Sequence, residues 1–263
     1  MSLLDDLKKK AEQLKTDEQS RSEYGLRNVV AVDDRLRKIF SYLDELGKTL
    51  AVIKPEVGKP YVLGSVGKFE GLRQAEHFAD YRLGHIHDRE CYETVTFLFK
   101  SIAAQELAIA FDDALLADRF EKMLWEYNVV FKRDDVLNEQ RKITKVKFRI
   151  PHEVRSELSF EGEHEAGVIK IVGRNIGRFG QDELAFEADE VDTAWLDELA
   201  KFIITEPNRF KLMGKRQQIN IPHQPVELPV PEYEIHQTPE EEEKPQPAGL
   251  MGTVKGLWEI WKK

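Results

Sequence analysis

Between residues 29 and 53, apolar side chains recur at Val29, Val32, Leu36, Ile39, Leu43, Leu46, Leu50 and Ile53. Steps of three and four in strict alternation put all of them on one stripe of an α-helix. Asp34, Arg37, Lys38, Ser41, Asp44, Glu45 and Lys48 fall on the opposite side. Such a helix is about 37 Å long, the width of a small domain, and its stripe must be buried on something. The flanking positions hold Asp33, Arg35, Phe40, Tyr42, Gly47 and Thr49, where a two-stranded coiled coil would place paired charges. Phe40 and Tyr42 widen the stripe, which suits a helix lying on its own domain or in a bundle. Self-association through the same residues is the competing reading.

Ahead of this helix, Ser2 caps a shorter one carrying Leu3, Leu4, Leu7, Ala11 and Leu14. The polar run 16–21 and Gly25 predict a turn between the two, and Pro55 predicts the end of the long helix. Residues 1–55 therefore read as a helical arm.

After Tyr61 the period changes to two. Cys91, Glu93, Val95, Phe97 and Phe99 alternate with Tyr92, Thr94, Thr96, Leu98 and Lys100, a pattern of β-branched and aromatic residues that predicts a strand. Residues 78–83 are its expected partner, with a turn in 84–90, and 107–111 is a further short strand. Asp112 or Asp113 then caps a helix that buries Leu116, Phe120, Met123, Leu124 and Tyr127. Strands are expected at 129–132, 142–150, 154–160, 168–172 and 184–186. A second helix follows over 190–204, capped by Asp189, with Val191, Trp195, Leu199, Phe202 and Ile203 inward. The two stretches share Glu-Leu-Ala at 106–108 and 183–185, each leading to an acidic pair, a helix, and then an Asn, a Phe and a Lys. Read as an internal duplication, this divides the body, 56–212, into halves 61–132 and 142–211; a chance match is the alternative.

Beyond residue 212 the composition changes. Seven of the eleven prolines lie between Pro222 and Pro247, and Glu240, Glu241, Glu242 and Glu243 form an acidic run, so 213–248 reads as a disordered, extended linker. In 249–263, Leu250, Val254, Leu257, Trp258 and Trp261 share one face of a short amphipathic helix. Three glycines make that helix marginal alone, so it is expected to order on docking. Tryptophan is a typical interface anchor, which points to a protein partner laid against this face. Folding back on the body and adsorption to a membrane surface, helped by Lys255, Lys262 and Lys263, are the other readings.

The fold class expected from these elements is α+β, an antiparallel sheet body with two helices. A formal charge of −9 argues against general affinity for nucleic acid and leaves only a local basic patch. Lys145, Lys147 and Arg149 alternate on one strand face, Arg174 and Arg178 lie in a glycine-punctuated loop, and Phe148 or Phe179 could stack a base. A polyanion or phosphate ligand is thus the alternative function, set against a solvated face whose charges are paired by neighbouring acids. His85, His87 and Cys91 are the one cluster of metal-ligand types, too few for a closed zinc site, and no cofactor is expected. No nucleophile elbow or metalloprotease helix is present, so an enzyme would need a site that sequence does not reveal. One cysteine and no apolar run of membrane-spanning length suit the cytoplasm. The expectation is a non-catalytic adaptor or assembly protein that packs or self-associates through its long helix and docks a partner through its C-terminal helix.

Overall fold

The computed structural model describes residues 3–86, 88–214 and 233–237, with side chains over 25–86 and 88–214. The chain opens with one 51-residue helix, α1 (Leu3–Ile53), which runs unbroken through the 16–21 stretch and through Gly25. The expected turn is therefore absent. Half of that polar run is Glu, Gln and Arg, good helix formers, none of its residues is Pro or Gly, and the single Gly25 costs only about 1 kcal/mol. A short hairpin follows, β1 (Tyr61–Leu63) with β2 (Gly67–Phe69). Then come β3 (Arg73–Ile86), β4 (Arg89–Phe111), α2 (Ala114–Glu126), β5 (Lys132–Leu137), β6 (Ile143–Glu163), β7 (Val168–Arg174) and β8 (Gln181–Glu187). A 3-10 turn (Ala188–Glu190) leads into α3 (Thr193–Ile203), followed by the single turn α4 (Phe210–Met213) and the strand β9 (Tyr233–Gln237). The mixed α+β class with a long N-terminal helix is as the sequence implies.

All pairings are antiparallel. The seven-stranded sheet has the order β3-β4-β6-β7-β8, with β5 added to β6 and β9 added to β4. Its spine is the pair of long strands β4 and β6. The expected breaks at 101–106 and at Pro151 do not end a strand. β4 continues to Phe111, and β6 is one 21-residue strand instead of two. Proline survives inside it because Pro151 lies opposite Glu106, where β4 bulges between Ile102 and Glu106. On its other side, β5 starts at Lys132 across from Arg149 and β7 finishes at Arg174 across from Glu157, so the missing N–H interrupts no ladder there. The strand expected at 129–132 begins instead at Lys132, because Asn128 turns the chain at φ 53° directly after α2.

On β6 every even residue from Val146 to Phe160 is buried, so a single sheet face carries the whole core. Two clusters share it. In the first, α1 and α3 cover Val95, Phe97, Phe99, Leu158, Phe160, Ile171 and Phe186, with Trp195 at the centre. In the second, the β1–β2 hairpin and α2 cover Leu107, Ile109, Phe111, Val146, Phe148 and Ile150. These clusters divide the two long strands crosswise, so neither matches a half 61–132 or 142–211. The Glu-Leu-Ala segments differ in setting as well: Leu107 lies on the spine strand β4, between β6 and β9, and Leu184 lies on the outer strand β8.

Between the clusters runs a seam of buried polar groups. Asn175, held at φ 54°, donates from Nδ2 to the carbonyls of Tyr127 (2.8 Å) and Arg155 (3.0 Å), and its Oδ1 accepts from the Gly180 amide. Its own carbonyl accepts from the hydroxyls of Ser156 and Tyr61. Burial pushes the Tyr61 hydroxyl up to about 12, so it stays a neutral donor. The helices are capped as their sequences require. Asp113 accepts from the Leu115 amide at the start of α2. Asp192, not the expected Asp189, accepts from the Trp195 amide at the start of α3, because the 3-10 turn consumes 188–190.

Candidate docking surfaces

The α1 stripe is spent inside the chain. Val29, Val32, Leu36, Ile39, Leu43 and Leu50 are buried, Leu46 packs partly against the same cluster, and only Ile53, 61 % exposed, faces outward. Gly47 allows close approach, since a Cβ there would meet the Phe97 ring at 3.2 Å and the His77 Cβ at 3.3 Å. One polar group locks the register. The Asp33 carboxylate, 1 % exposed, accepts from the Tyr92 amide at 2.8 Å and from Arg37 Nε at 3.1 Å, with Arg89 3.7 Å away. Arg37 in turn lies 4.4 Å over the Tyr92 ring. A buried carboxylate with a backbone donor and two guanidinium partners fixes where the β3–β4 hairpin meets the helix.

The described candidate metal ligands of the same hairpin, His85 and Cys91, form no metal-binding group. Cys91 is fully buried at the α1 side, where desolvation and the Asp33 carboxylate raise its thiol above the ordinary range. His85 is exposed across from Glu90, and His87 lies outside the described residues. No group of three or more His, Cys, Asp or Glu among the described residues could hold a metal ion.

The basic island does lie on one strand face, the one opposite the core, because Lys145, Lys147 and Arg149 alternate with the buried Val146, Phe148 and Ile150. Most of its charge is answered. Arg149 pairs with Asp134 at 3.0 Å, Lys145 with Asp112 at 3.6 Å, Arg174 with Glu157 at 3.8 Å, and Arg178 with Asp182 at 2.6 Å. Lys147 has no ion pair among the described residues and lies between Ala110 and Asp134 in register. The aromatic half of the polyanion reading fails, because Phe148 and Phe179 are buried in the second cluster and offer no face for a base. Further along the sheet the same solvated pattern continues, with Arg155 on Glu153 and Lys170 on Glu163.

A surface that sequence reasoning passed over is the strand β9, within the stretch expected to be a disordered linker. It pairs with β4 from Gln105↔Gln237 to Ile109↔Tyr233. The available signal was Tyr-Glu-Ile-His-Gln, an apolar-polar alternation bounded by Pro231 and Pro239. β3 and β9 thus lie end to end along one side of β4, and Gln237 finishes beside Arg73, at the seam between the two clusters. The docking face Leu250, Val254, Leu257, Trp258 and Trp261 lies outside the described residues. No described helix is long and apolar enough to cross a membrane.

Comparison with protein-family models, curated proteins and solved structures finds no match.

Proposed function

We propose that this chain is a non-catalytic cytoplasmic adaptor or assembly component. In this reading α1 and the sheet form a rigid platform, and the C-terminal segment engages a partner protein through Leu250, Val254, Leu257, Trp258 and Trp261. One observation supports it above others: β9 fastens the tail to the platform at Gln237, so the apolar segment beginning 13 residues later is tethered near the midline of the sheet. A tether of that length raises the effective concentration of the segment near the platform without fixing its pose. With its stripe already buried, α1 serves as the packing element of the platform in this reading, not as a seam between copies. The polyanion reading is the weaker one, since four of the five cations it needs already have carboxylate partners and its aromatic residues are in the core.

The reading is tested with two baits, the full chain and a full chain carrying Trp258→Asp and Trp261→Asp, each used for capture from cell extract with quantitative mass spectrometry. One abundant protein should fall by about tenfold or more with the substituted bait, as expected when interface anchors are lost. Loss of membrane material instead would assign the tail to a lipid surface, and identical lists from both baits would remove the tail from the function.

A further inference from the structure

The inward stripe of α1 is spent on the sheet, but the helix has a second face. Leu26, Arg27, Val30, Ala31, Asp34 and Lys38 lie on the side away from the core, and all six are exposed. They line an open groove with Asp189 at its margin. Leu26 and Val30, 50 % and 38 % exposed, put apolar surface beside the charges. Those charges are unanswered. Asp33 pairs with Arg37 and Asp44 with Lys48, each one turn further along the same helix. Asp34 and Lys38 have the same spacing yet do not pair, and Arg27 has no ion pair among the described residues either.

Read backwards, this face complements itself. About a point between Val30 and Ala31, an antiparallel copy brings Arg27 opposite Asp34 and Asp34 opposite Arg27. Val30 and Ala31 meet at the centre, where the small alanine lets the helices approach, and Lys38 falls opposite Glu23. A parallel copy in register would set Arg27 on Arg27 and Asp34 on Asp34, like charge on like. The same point lies near the middle of α1 (Leu3–Ile53), so residues 8–53 of both helices overlap, a length of about 68 Å. A strip that long and about 10 Å wide covers about 700 Å² on each copy, close to the roughly 800 Å² of a standard specific interface. The bodies stay clear of one another, because Val32, Leu36, Ile39 and Leu43 hold each sheet on the far side of its own α1. The layers then run sheet, helix, helix, sheet.

We infer that the outward face of α1 joins two copies of this chain in an antiparallel dimer. Its two-fold axis passes between Val30 and Ala31, with Arg27 of each copy against Asp34 of the other. This goes beyond the adaptor reading, which uses only the inward stripe of α1 and needs no second copy. Such a dimer presents two platforms facing opposite ways and carries two C-terminal segments.

Sedimentation equilibrium of the full chain over a concentration series reads this directly. The unmodified protein should show a dimer populated below about 100 μM and weakened by added salt. A monomer at every concentration up to that limit would overturn the proposal. Asp34→Arg, at an exposed position, should leave the circular dichroism spectrum unchanged and raise the dimer dissociation constant at least about tenfold, because two pairs turn repulsive together. Adding Arg27→Glu to Asp34→Arg restores both pairs with their signs exchanged, and should bring the constant back to within about threefold of the unmodified value. A dimer indifferent to Asp34→Arg, or one not recovered in the double variant, would refute the register and the proposal with it. Trp258→Asp with Trp261→Asp separates this contact from the tail. The dimer should persist in that chain; its loss would assign self-association to the C-terminal segment, and the proposal would fail.

Discussion

The two core clusters lie on one face of the same two long strands, yet they are closed in different ways. Over the first, a single helix lays down five buried residues from Val32 to Leu50, and α3 adds Trp195 and Leu199 beside it. Over the second, cover is assembled from pieces: the β1–β2 hairpin supplies Tyr61, Leu63 and Phe69, α2 supplies Phe120 and Leu124, and the loop before β8 supplies Phe179. Aromatic contacts compensate for the absence of a long helix. Phe120 meets Phe148 edge-on at 5.1 Å, Phe111 lies within 5.9 Å of Phe148, and Tyr127 stacks on Phe179 at 5.2 Å. A continuous stripe concentrates stability in one element, whereas pieced cover spreads it over several loops. The cost of disturbing each cluster should differ accordingly.

The largest effect is expected from Leu43→Asp, which puts a carboxylate at a fully buried position of the stripe. A charge there has no partner, and the loss should exceed about 4 kcal/mol, enough to unfold the first cluster outright. Circular dichroism melting checks it, and an unchanged midpoint would contradict the placement of α1. In the second cluster, Phe148→Ala opens a cavity at the meeting point of four rings, Phe111, Phe120, Phe131 and Phe148. Its cost should be about 3–5 kcal/mol. Because hairpin and α2 can relax separately, hydrogen exchange in that variant should rise first in α2 and the β1–β2 hairpin, leaving α1 protected. Uniform loss of protection would mean that the seam at Asn175 couples both clusters into one unit.

The same contrast explains what could be read from the chain beforehand. A stripe with three-four spacing is visible because one periodicity persists over seven turns, whereas the surface that buries it, the sheet, is not written in that spacing. The pieced cluster has no such carrier. Phe148 and Phe179 sit in the sequence beside Lys147, Arg149 and Arg178, so they looked like stacking residues for a nucleic acid, although the alternation that exposes the cations buries the rings. Pro151 suggested a strand end, since nothing in the sequence discloses that β5 and β7 stop short of it on one side and β4 bulges on the other. β9 was missed for a related reason: five alternating residues between prolines are too few to outweigh the composition around them, and only the open edge of β4 gives them a partner. Glu-Leu-Ala recurs because both segments are strands leading into a capped helix, a local rule that does not require shared descent.

The smallest expected effect separates the clusters by pH. His77 in the first stacks on Phe99 at a centroid distance of 5.9 Å, with Nε2 3.4 Å from Gln74 Oε1 and Nδ1 without a partner. Burial lowers it to about 4, against about 6.5 for a histidine in the unfolded chain. Above that upper value both states are neutral there and the residue makes no pH-dependent contribution. As pH falls through the window between them, the unfolded chain takes up a proton that the native state refuses, so stability drops until the native pKa is reached. His152 in the second cluster, stacked on Phe69 at 4.6 Å, is also lowered by burial, but the Glu70 backbone and carboxylate oppose the shift. His77→Gln should therefore remove more of the stability lost between about pH 7 and pH 5 than His152→Gln does, read as the change in urea midpoint at the two pH values. Equal slopes in both variants would mean that the two histidines titrate in similar surroundings, and that the helix-covered cluster excludes water no better than the pieced one.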